Sequence, residues 1–182
     1  MRLRILGAAV LALVACGEGA EPPVAAPNPL ADSADQVMFG IRWNMTTNGV
    51  LRARLLADTA YFFDDNARME LRDVHMTFFD AIGQQTSVLT SREGTYNTRL
   101  STAEARGDVV MVGEEGRRLT TEQMRYNQSQ NLVSSDSAFV FTGPNQRLEG
   151  IGFVSDPEMS NVRILGQPSG GTTFTLPGQG SP

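Results

Sequence analysis

All three tyrosines of this chain, Tyr61, Tyr96 and Tyr126, are followed thirteen positions later by an apolar residue that opens a short alternating run. The runs are Val74-His75-Met76-Thr77-Phe78, Val109-Val110-Met111-Val112 and Phe139-Val140-Phe141-Thr142. A spacing kept through three copies marks an internal repeat, and a repeat constrains the whole architecture because each unit buries its apolar face only against its neighbours. Period two places Val74, Met76 and Phe78 on one face, the pattern of a half-buried strand.

Turn chemistry follows each tyrosine at once: Asp64-Asp65-Asn66, Asn97-Thr98-Arg99 and Asn127-Gln128-Ser129-Gln130-Asn131. Asn and Asp suit such turns because their side chains satisfy nearby backbone groups. Second turns are expected at Asp80-Ala81-Ile82-Gly83, Gly113-Glu114-Glu115-Gly116 and Gly143-Pro144-Asn145. The unit is therefore strand, turn, strand, turn. A fourth partial unit, Leu148 to Leu165, offers Ile151, Phe153, Val162 and Ile164, and Met38 to Asn44 reads as either a strand or a helical turn. About eight strands at this spacing predict an all-β fold, an antiparallel β-jellyroll or open β roll built from repeated hairpins. The tyrosines themselves read as structural, packing beside each turn with hydroxyls directed to water or backbone.

The ends differ in character. Met1 to Ala15 reads as a secretory signal, with Arg2 and Arg4 ahead of an apolar run from Ile5. That run is shorter than the roughly 20 residues that span a bilayer. It ends in Leu13-Val14-Ala15-Cys16, which resembles the lipobox of bacterial lipoproteins, and Cys16 is the only cysteine. Cys16 is expected to carry the lipid, since several acyl chains on one terminus anchor firmly; with one cysteine no internal disulfide forms. Residues 16–35, with Pro22, Pro23, Pro27 and Pro29, read as a flexible tether, 36–166 as the β domain, and 167–182 as a flexible tail that lends a strand around Thr172 to Leu176.

Losing Arg2 and Arg4 with the signal moves the net charge from −5 to −7. An acidic chain without a lysine is a poor partner for nucleic acid. The inventory for catalysis is poor as well. His75 is the sole histidine and lies in a strand, Asp64-Asp65 and Glu114-Glu115 occupy turns, and no cluster has metal-ligand spacing. The expectation is a protein that is not an enzyme and needs no cofactor or metal.

Leu55-Leu56-Ala57-Asp58-Thr59-Ala60-Tyr61, Leu71-Arg72-Asp73-Val74, Gly107-Asp108-Val109-Val110, Leu119-Thr120-Thr121-Glu122-Gln123-Met124-Arg125-Tyr126 and Leu148-Glu149-Gly150-Ile151-Gly152-Phe153 resemble the LptC family, within the OstA-like group that also holds LptA. The resemblance covers about Asn48 to Gly166. It implies a β-jellyroll open along one side, whose apolar interior holds lipid A acyl chains. It also implies a relay of lipopolysaccharide from an inner-membrane ABC transporter, LptB/LptF/LptG-like, to a periplasmic LptA-like bridge, with rolls joined edge to edge. The chain departs from the members with an N-terminal transmembrane helix by having a lipobox and tether. Its location is then periplasmic and lipid-anchored, with the inner membrane preferred by function and the outer membrane as the alternative.

On this reading Val74, Met76, Phe78, Val109, Met111, Phe139 and Phe141 are the lipid-facing residues, because they occupy equivalent positions of the copies. The same residues equally suit a closed core. Gly150, Ile151, Gly152 and Phe153 are the expected partner edge, with the glycines marking a bulge or a close approach. The rival function is a structural or scaffolding lipoprotein of the envelope that binds protein rather than lipid, and a closed interior would favour it.

Overall fold

The structure, a computed structural model, describes residues 28–166. The signal segment, Cys16, most of the expected tether, and the tail with its expected strand at Thr172 to Leu176 lie outside the described residues. Within the tether stretch, α1 (Pro29–Ser33) forms a short helix. Asn28 caps it, its Oδ1 accepting from Leu30 N and Ala31 N, and proline occupies the first turn where its missing N–H is no loss.

Nine strands follow: β1 (Gln36–Thr47), β2 (Val50–Phe63), β3 (Arg68–Phe79), β4 (Gln85–Asn97), β5 (Thr102–Gly113), β6 (Arg118–Asn127), β7 (Leu132–Gly143), β8 (Gln146–Ser155) and β9 (Arg163–Ile164). They make one antiparallel sheet in sequence order, β1 to β9, so β1 and β9 are edges that never pair with each other. The protein is an all-β open roll. Every expected turn separates two strands, and Met38 to Asn44 is strand rather than helical turn.

A line of defects crosses the sheet at right angles to the strands. The ladder is interrupted opposite Gly40 and Asp58, at Asp58 and Asp73, and at Asp73 and Arg92. It changes register at residues 107–108 of β5, at Glu122 of β6 and at residues 136–137 of β7. Gly40, Asp73, Gly107, Asp108 and Gly152 have positive φ there. Bulged residues bend a strand and re-aim its side chains. In β2 the inward residues are Ala53, Leu55 and Ala57 before the line, but Ala60 and Phe62 after it; in β3 they change from Met69 and Leu71 to Val74, Met76 and Phe78. Aligned bends crease the sheet, and the two halves of the long strands become facing layers.

Contacts across the crease tie the layers together. Phe78 of one layer meets Tyr126 of the other edge to face, ring centroids 5.0 Å apart, and Trp43 meets Tyr96 at 6.2 Å. Gln128, in the β6–β7 turn, donates from Nε2 to Thr46 O at the far end of β1 (2.8 Å). The core therefore lies between two layers of one sheet, and the exposed outer face carries ion pairs such as Arg125–Asp136 and Arg106–Glu104.

Candidate functional site

The interior is built in rungs, one residue from each strand. Leu55, Met76, Leu89, Met111, Leu119, Phe141 and Leu148 follow one another through successive pairings across seven strands. On the next rung Val109 pairs Thr121, which pairs Phe139, and on β3 Val74 pairs Ser91. Phe78 sits one rung further out beside Ser87. All seven residues singled out from the sequence are buried and belong to a single apolar cluster. Antiparallel pairing brings them together, since the register of each strand pair sets inward residues of neighbouring strands side by side.

The repeat itself is not what the tyrosines suggested. Phe62, Met69, Tyr96, Ala103, Tyr126 and Val133 form the rung next to the hairpin turns, so Phe62 and not Tyr61 is the counterpart of Tyr96 and Tyr126. Tyr61 lies outside the interior cluster, where its hydroxyl accepts from Asn28 Nδ2 at 2.9 Å. The thirteen-residue spacing of the first copy is a coincidence of offset: β3 carries the single defect residue Asp73, whereas β5 carries the pair Gly107 and Asp108. The hydroxyls also find side chains rather than backbone, Tyr96 Gln128 Oε1 at 3.4 Å and Tyr126 Asn131 Oδ1 at 3.2 Å. Burial raises the pKa of both, that of Tyr126 to about 12, where Arg52 partly offsets the burial and Glu158 and Tyr96 add to it.

The interior is filled. Between the layers a cavity of about 20 Å³ remains, lined by Leu55, Leu71, Val74, Met76, Met124 and Tyr126 among others. That is room for about one water molecule. Six of the eight methionines, Met45, Met69, Met76, Met111, Met124 and Met159, are buried here. Their unbranched side chains repack readily around a new shape. Met124, which the sequence groups with Met76 and Met111 as an adaptable apolar side chain, belongs to the same cluster, and so do Met69, Leu89 and Leu119, which the sequence does not single out. Their period-two alternation was the available signal.

The two ends of the interior differ. At the β1 edge the inward residues Met38 and Trp43 stay 42% and 39% exposed, whereas at the β8 edge Phe153 is fully buried against Phe139 (5.0 Å). Of the four residues expected at a partner edge, Ile151 points outward and is 53% exposed, and Gly150 and Gly152 are buried. Ile151 and Phe153 do not share a face, because Gly152, at φ +75, is the defect residue between them. Leu165 N and Gly166 N donate to the carbonyls of Gly152 and Ile151, so the chain itself covers that stretch of β8. Among the described residues no group of three or more metal-ligating side chains converges, and no helix is long and apolar enough to cross a membrane.

A family model described as lipopolysaccharide-assembly, LptC-related, matches residues 5–172. No curated protein matches the chain. Among solved structures, LptH of Pseudomonas aeruginosa, described as the LptA-homologous periplasmic component of the conserved lipopolysaccharide transport device, is 19% identical. The match covers 69% of this chain and 88% of that one, with a TM-score of 0.45.

Proposed function

This chain belongs to the LptC-related family of lipopolysaccharide-assembly proteins, and on that premise we propose that its two layers part to hold lipid A acyl chains and relay lipopolysaccharide onward. Membership brings the coarser statement with it: a non-enzymatic part in lipopolysaccharide transport, on the periplasmic side, among partners of the same bridge. The finer reading gives Val74, Met76, Phe78, Val109, Met111, Phe139 and Phe141 to the acyl chains. Lipopolysaccharide then comes from an inner-membrane ABC transporter, LptB/LptF/LptG-like, and goes to an LptA-like protein. Cys16 carries the membrane anchor, inner by preference, 16–35 is the tether, 36–166 the working domain and 167–182 the tail. No nucleic acid is involved.

The observation that carries this reading is an apolar interior rich in methionine within a sheet that never closes on itself. Parting the layers exposes apolar surface to acyl chains instead of water, and each buried methylene contributes about 0.8 kcal/mol. The half-exposed Met38 and Trp43 make the β1 end the natural entrance. Transfer to a partner uses a sheet edge, and the stretch of β8 near Gly150, Ile151, Gly152 and Phe153 becomes one where residues 163–166, which now cover it, give way to the partner's strand.

A second reading has its own support. The filled interior, with its cavity of about 20 Å³, is what a scaffolding protein with a dry core would show. Photo-crosslinking side chains placed at the seven interior positions separate the two. Met111 and Phe139 are expected to capture lipopolysaccharide in growing cells; adducts with protein alone, or none at any of the seven, would sink the lipid reading.

A further inference from the structure

The β8 end of the interior is sealed by the chain segment that follows β8. Residues 156–166 leave Ser155, pass over the ends of β4 and β5 at Ser87 and Gly113, and return as β9 along β8. Met159 is 2% exposed and takes φ 56, the left-handed region that a side chain other than glycine seldom adopts. Its Cε lies 2.8 Å from where a Cβ on Gly113 would stand, closer than a methyl there would allow. Ile164 lies as closely against Gly150, its Cγ2 2.9 Å from the corresponding point. Two small residues on β5 and β8 thus make the seats for two apolar side chains of this segment.

We propose that residues 156–166 are a displaceable plug, seated through Met159, which keeps the far end of the interior shut until an acyl chain pushes it out. This rests on the lipid reading above. The construction is that of a removable part. Asp156 organises the segment locally, its carboxylate accepting from Ser160 N (2.8 Å), Asn161 N (3.1 Å) and Asn161 Nδ2 (3.2 Å). Between the loop 156–162 and the layers the side-chain hydrogen bonds are Ser87 Oγ to Pro157 O at 2.6 Å and Arg117 Nη1 to Ser160 Oγ at 3.2 Å. At the root of the segment Ser155 Oγ is buried without a hydrogen-bond partner, which disfavours the seated arrangement there. Displacement exchanges one flexible thioether for one acyl chain of similar width, so apolar contact is retained while strain at Met159 is released.

The sole tryptophan makes the test clean, because Trp43 stands at the opposite, β1 end. Full-length protein is titrated with lipid A whose acyl chains are brominated, in mild detergent. Quenching of Trp43 is read beside hydrogen exchange of the amides at 158–162. The expected result is quenching together with roughly tenfold faster exchange in the plug, while β3 to β6 stay protected. Gly113→Ala, whose methyl takes the Met159 seat, and Met159→Ala should both speed plug exchange without lipid and leave Trp43 emission unchanged. Quenching with unchanged plug exchange, or acceleration spread over the whole sheet, would overturn the plug and leave lipid binding standing. Absence of quenching would remove the lipid reading, and the plug with it.

Discussion

Tyr126 shows how a single residue serves two roles in this interior. Its ring packs on Phe78 from the opposite layer, and its hydroxyl ends on Asn131 in the adjacent turn. Tyr126→Phe keeps the packing and removes the bond, so thermal or urea unfolding should show a loss of about 1 kcal/mol. Its ionisation has a definite sign. Burial raises the pKa from 10.0 to about 12, so between those values the folded state keeps a proton that the unfolded state gives up. Stability therefore falls as pH rises through that window. Spectroscopic titration should find a phenolate that appears only near pH 12, and Tyr126→Phe should blunt the alkaline loss of stability. A titration near the ordinary value would show the hydroxyl to be in water.

The crease is the feature at the scale of elements. Eight strands change direction on one line, and exposed Asp58, Asp73, Asp108, Glu122 and Asp136 mark it because a residue bulged toward solvent is best polar. In β5 the line is drawn by Gly107 at φ +73 and Asp108 at φ +50. Deleting Gly107 shifts the register of everything beyond it by one, which turns either Val109 and Met111 or Ala103 and Ala105 toward solvent. The deletion should yield an aggregating chain with no cooperative transition, while Gly107→Asn, which tolerates the left-handed conformation, should stay folded within about 1 kcal/mol. A folded deletion variant would show that the crease does not depend on the extra residue.

The whole molecule is an open roll with unlike ends. The β1 end shows half-exposed apolar side chains, and the β8 end is shut by the chain's own continuation. Ile151 stands on the outer side of that shut end, 53% exposed. Ile151→Arg should leave the unfolding transition within about 0.5 kcal/mol of the parent. Pull-down of an LptA-like partner should weaken at least several-fold if this edge docks the next protein. Undiminished capture would move the docking edge elsewhere, and loss of folding would place Ile151 in the core.

What the sequence by itself determined was the set of hairpins. Asn- and Asp-rich turns and period-two runs are local, so Val74, Met76, Met111, Phe139 and Phe141 could be placed on one buried face from spacing alone. The family resemblance was legible for the same reason, in the order of short strand motifs. Three things waited for the tertiary structure. One was the true equivalence of Phe62 with Tyr96 and Tyr126, because a bulge of one residue and a bulge of two look alike in a chain but shift its faces differently. Another was the opposite facing of Ile151 and Phe153, which depends on the single left-handed Gly152. The last was the seating of Met159 against Gly113, more than forty residues away in the chain. Alternation tells which residues share a side of a strand; only the folding of the sheet along its crease decides which sides meet.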